Sequence, residues 1–117
     1  MQATFGISHI ALKVADLDRA VRFYEQAFGA RQYFRDAGSA QVLGPDPTDV
    51  IAFELAPAEA VTAGGLMHFG LRLTGADELD GVLAQVLAAG GTLKRIRHER
   101  PTFRSRAGGA MMAPSLR

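Results

Sequence analysis

The chain has no cysteine among its 117 residues. That excludes disulfides, thiolate metal sites and cysteine nucleophiles, and leaves histidine and carboxylates as candidates for metal binding or acid–base work. It also lacks a charge imbalance. Thirteen Lys and Arg against twelve Asp and Glu leave a formal charge of +1, too little to draw in nucleic acid or an anionic membrane. No apolar run approaches the roughly 18 residues of a membrane span, and residues 1–10 have neither the basic region nor the apolar stretch of an export signal. The expected location is the cytoplasm. Neither GxGxxG nor GxxxxGK[ST] occurs, and no serine sits in a nucleophile elbow. What remains is an ordinary globular composition, 48% hydrophobic and 21% charged, sized for one core or for two cooperating half-size modules.

Residues 5–14 alternate Ile10, Leu12 and Val14 with His9, Ala11 and Lys13, which predicts a strand with an apolar and a polar face. Asp16 offers a side-chain cap to a helix carrying Leu17, Ala20, Val21, Tyr24 and Phe28 at helical spacing, and Gly29 ends it. Residues 32–36 and 40–43 read as short strands around Gly38, and 44–47 (GPDP) as a turn before a strand over 50–55. Residues 57–65 form a linker without hydrophobic period. Then 66–74 alternate again, Asp77 caps a second helix with Leu79, Val82, Leu83, Val86 and Leu87 as its stripe, and Gly90-Gly91 ends it. A strand over 92–98 and a hairpin of 102–106 with 110–113 complete the expectation.

The halves repeat. HIALKV from His9 matches HFGLRL from His68, and Asp16, Val21 and Gly29 align with Asp77, Val82 and Gly90. Each apolar strand face can be buried under its own helix, leaving His9 and His68 on the opposite side. A lone strand histidine is usually a ring satisfied by hydrogen bonds. Two equivalent ones near an approximate two-fold axis can share an ion. Glu54, flanked in sequence by apolar residues, asks for a cation. Either a metal or one of Lys13 and Arg72 supplies it. Two imidazoles and a carboxylate suit iron(II), manganese, nickel, cobalt or zinc, with open positions for substrate oxygens.

The run ISHIALKVADLDRAVRFYEQAFGA, then IAFEL and LMHFGLRL with its capped helix, resembles the vicinal oxygen chelate superfamily. That group holds glyoxalase I, methylmalonyl-CoA epimerase, extradiol dioxygenases and the bleomycin- and fosfomycin-resistance proteins. The resemblance implies an α+β fold of paired βαβββ modules, with curved sheets around a cavity and helices on the outer face. The modules fall at 1–56 and 66–117, the second with an atypical end. Glyoxalase-like members take metal ligands from the first strand of each module and the last strand of the first, where this chain has His9, His68 and Glu54. A metal-bound Glu can also serve as base, which makes Glu54 the catalytic candidate.

The fourth ligand position of such enzymes has no counterpart: no acidic residue follows Glu99. Three readings stay open: a three-ligand site, a cavity that has lost its metal and sequesters an antibiotic or metabolite, and a terminal segment read in a shifted frame. Lys13 and Arg72 lie four residues beyond the histidines, about 13 Å along a strand, where they meet an anionic substrate end or are simply solvated. Tyr33, Phe34 and Phe103 are candidates to cover an apolar ligand part. The basic stretch from Lys94 to Arg106 lacks a nucleic-acid motif and reads as a solvated face. A homodimer would cover exposed sheet edges and complete the cavities. The expected function is a metal-dependent lyase, isomerase or dioxygenase-like enzyme acting on a small oxygenated metabolite, or else a non-catalytic small-molecule binder without metal.

Overall fold

A computed structural model describes residues 3–62, 64–66, 68–93 and 111–112. The chain divides into two units, 1–62 and 63–117. The first holds strand β1 (His9–Val14), helix α1 (Leu17–Phe28) and strands β2 (Arg31–Arg35), β3 (Ser39–Leu43) and β4 (Val50–Leu55). Its sheet runs β1-β4-β3-β2, with β4 parallel to β1 and antiparallel to β3, and β2 antiparallel to β3. This is one βαβββ module. Helix α1 carries the chain from one sheet edge to the other, and the meander returns it beside β1.

The local reasons are legible. Asp16, in extended backbone (φ −147°), accepts from the Arg19 amide at 3.0 Å, satisfying one of the free donors of the first turn. Gly29 closes the helix at φ +69°, where a side chain would be strained, and its N–H donates to the Glu25 carbonyl at 3.0 Å. Leu17, Val21, Tyr24 and Ala27 are buried on the helix face toward the sheet. Beneath them Ala40, Val42 and Phe53 are 0–1% exposed, and the Tyr24 and Phe53 rings lie 5.3 Å apart. Those three strand residues share one sheet face through the pairs Ala40↔Phe53 and Val42↔Ile51. The core of the unit is this single helix-on-sheet layer.

Some boundaries differ from expectation. The first strand begins at His9 rather than residue 5, and Phe5 and Ile7 are fully exposed. Alternation there exists without a partner strand, since β4 opens at Val50 opposite His9. Residues 58–60, inside the expected linker, form one turn of 3-10 helix.

The second unit shows strand β5 (Leu71–Arg72), helix α2 (Leu79–Ala88) and strand β6 (Met111–Met112), with β5 and β6 antiparallel. Among the described residues only the first unit shows a complete βαβββ arrangement. Among the described residues of the expected strand over 66–74, strand pairing is seen at Leu71–Arg72. Asp77 does not cap α2. It lies within a 3-10 turn (Ala76–Glu78), and Glu78 takes the cap position without a side-chain bond. Val86 is buried on α2, whereas Leu87 is half exposed. Residues 94–98, and all of the expected terminal hairpin except Met111 and Met112, lie outside the described residues. No described helix is long and apolar enough to cross a membrane.

Candidate functional site

Helix α1 covers one face of the four-stranded sheet, and strand alternation decides what the other face presents. Pairing places three rows across it: Lys13, Glu54 and Ser39; then Ala11, Ala52, Gln41 and Phe34; then His9, Val50, Leu43 and Arg31. His9 and Glu54 therefore share a face, as expected. They stand four register positions apart, about 13 Å at the rise of a parallel strand. The direct neighbour of Glu54 on β1 is Lys13. Both are exposed, so burial among apolar groups, the reason for assigning Glu54 a cation, does not hold within this unit. Among the described residues the ion pair found is Asp18–Arg35, at 2.8 Å.

A groove of about 590 Å³ opens at the His9 end of this face, lined by Phe5, Ile7, His9, Tyr33, Gln41 and Thr48, among others. The Ser8 hydroxyl oxygen lies 2.8 Å from His9 Nδ1. When Nδ1–H donates to it, Nε2 keeps its lone pair for a ligand. A β-bulge between Gln32 and Phe34 makes Tyr33 the extra residue of β2. Bulges re-aim side chains, and here the Tyr33 hydroxyl donates to Gln41 Oε1 across the helix-free side. Two successive aromatics thus serve one face. Gln41 was available to sequence reasoning, because it alternates with the buried Ala40 and Val42. Ser8 and Thr48 carried no such signal.

Of the other expected site residues, His68 is exposed in the second unit, three residues before β5 and outside any strand, and Arg72 is exposed within β5. Phe103 and the basic stretch from Lys94 lie outside the described residues. Within either unit, no three described His, Asp or Glu side chains gather to hold an ion.

A model of the Glyoxalase/Bleomycin resistance protein/Dioxygenase superfamily matches residues 6–107. The chain belongs to this superfamily. No curated protein matches it significantly. Among solved structures, a possible glyoxalase from Bacillus cereus is 22% identical with a TM-score of 0.67, over 81% of this chain and 83% of that one. The fosfomycin resistance protein FosX from Listeria monocytogenes, complexed with Mn(II) and sulfate, is 22% identical with a TM-score of 0.65, over 85% and 73%. A glyoxalase-related enzyme from Fulvimarina pelagi is 26% identical with a TM-score of 0.64, over 79% and 70%. The helix-backed mixed sheet is thus the fold shared with superfamily members.

Against a metal, the donor set of this member divides. His9 suits an ion: its imidazole is exposed on the open face, with Nδ1 engaged by Ser8. Glu54, beside Lys13 and four positions away, does not meet His9 at one ion within the first unit.

Proposed function

We propose that this superfamily member is a metal-dependent enzyme of the glyoxalase type, a lyase, isomerase or dioxygenase-like catalyst acting on a small oxygenated metabolite. In this reading His9, Glu54 and His68 are the metal ligands, Glu54 doubles as the base, and paired modules in a homodimer complete the cavity, Glu54 reaching the ion from the other copy because one sheet holds it four positions from His9. The observation that carries it is His9 itself, first residue of β1, on the helix-free face at the mouth of a groove. Support also comes from the FosX fold relative whose structure holds Mn(II). A divalent ion at such a site acts as a Lewis acid toward substrate oxygens. The protein's part is to bind and orient: Ser8 steadies the His9 ring, Tyr33 and Phe34 flank the ligand, and Lys13 and Arg72 meet an anionic end if it has one.

A second reading, a non-catalytic binder of a metabolite or antibiotic, is favoured by the four-position gap between His9 and Glu54. Metal analysis after anaerobic reconstitution with iron(II), manganese, nickel or zinc separates the two. The enzyme reading expects one ion per site, lost in the His9→Ala/His68→Ala double variant. No bound metal under any of the four conditions leaves the binder.

A further inference from the structure

Five consecutive residues, Phe5 to His9, line the groove. A regular strand, whose side chains alternate between faces, would present every second one. The segment departs from strand geometry because it has no partner: β4 opens at Val50 opposite His9, and among the described residues no backbone hydrogen bond holds 3–7. Gly6 turns the chain there at φ +103°, a conformation that a side chain would strain although nothing lies within 4 Å of where its Cβ would stand. Conformation, not space, is what asks for glycine. On either side of it Phe5 and Ile7 are exposed to solvent, an arrangement that water disfavours and that the sheet does not relieve.

We infer that residues 3–8 are an apolar strap hinged at Gly6, and that Phe5 and Ile7 select a ligand with an apolar body beside its oxygen-bearing head and close on that body when it binds. The occupant of the groove is what covers them, because the two side chains left in water are the ones that line it. Pro47 and Val50 continue the apolar lining, while Ser8, His9 and Gln41 supply polar contacts for the head. Burying the strap against the ligand takes apolar area on both partners out of water. A neutral and an anionic head are both compatible, since the Ser8 hydroxyl can donate and His9 can hold an ion. Such a strap deepens the proposed function and rests on the groove being its ligand site.

Benzohydroxamate and acetohydroxamate test it, since they share a head with two adjacent oxygens and differ in a phenyl against a methyl group. In titration calorimetry on the manganese-equilibrated protein, benzohydroxamate is expected to bind about tenfold or more tightly than acetohydroxamate, and Phe5→Ser/Ile7→Ser to erase the difference. Both side chains are exposed, so the urea midpoint of that variant should match the wild type. Gly6→Ala is expected to shrink the preference too, by straining the hinge. Equal binding of the two hydroxamates, or a preference that survives unchanged in either variant, overturns the strap and leaves the groove as ligand site. If the double variant keeps the preference and sediments as a smaller species than the wild type, Phe5 and Ile7 belong instead to an interface between copies. Failure of both hydroxamates to bind, with manganese or after EDTA, overturns the ligand-site reading as well.

Discussion

Tyr24 shows how one atom can stand against its surroundings. The residue is 2% exposed, its ring packs against Phe23, Phe28 and Phe53, and its hydroxyl has no partner among the described residues. Burial pushes its phenol well above the ordinary value, so the group stays neutral and unpaired. An unsatisfied buried hydroxyl costs about 1–3 kcal/mol. Tyr24→Phe keeps the ring and removes the cost, and should stabilise the fold by about 1 kcal/mol, read as a higher urea midpoint at unchanged slope. At this scale the sequence was informative where alternation holds. His9, Ala11 and Lys13 project from β1 opposite Leu12 and Val14, as their order implied. Tyr33 was not legible in the same way, because a bulge breaks the two-residue period. Glu54 misled: apolar sequence neighbours do not imply burial when the next residues across the sheet are Lys13 and Ser39.

Among the elements, the β2–β3 hairpin carries its own pH dependence. Asp36 accepts from the Gly38 amide at 2.9 Å, the Ser39 hydroxyl at 3.0 Å and the Ser39 amide at 2.7 Å. These bonds hold its carboxyl below the ordinary aspartate range. A depressed native value means that the contribution is complete above the unfolded-state value, near 3.9, and is lost as pH falls through the native one. The side-chain carbon shift of Asp36 should titrate below that of a model aspartate, and Asp36→Ala should loosen the Ser39 amide in hydrogen exchange. Helix α1 and β4 followed from spacing and caps, since Asp16, Gly29 and the 44–47 turn are local signals acting on a local segment. Among its described residues the second half repeats the pattern but not the full outcome. In HFGLRL the ladder is seen at Leu71–Arg72, opposite Met112 and Met111; alternation alone does not supply a strand partner. Asp77 fell inside a 3-10 turn, one residue short of the cap position.

For the whole molecule, the proposed ligand set draws on both units: His9 and Glu54 from the first, His68 from the second. That has a thermodynamic consequence independent of turnover. An ion that binds only the folded protein stabilises it by about 2.7 kcal/mol when present at a hundred times its dissociation constant. For a chain of this size that corresponds to a rise in Tm of roughly 10 °C. Because the ligands belong to different units, His9→Ala and His68→Ala should each remove most of the rise, and the pair should remove little more than either alone, as coupled positions do. Lys13→Gln, next to Glu54 but no ligand, should keep it. Scanning calorimetry with manganese, repeated after EDTA, reads all of these. A full rise in the His68→Ala protein would confine the ion to the first unit, where His9 and Glu54 stand four positions apart, and the three-residue site would then be wrong.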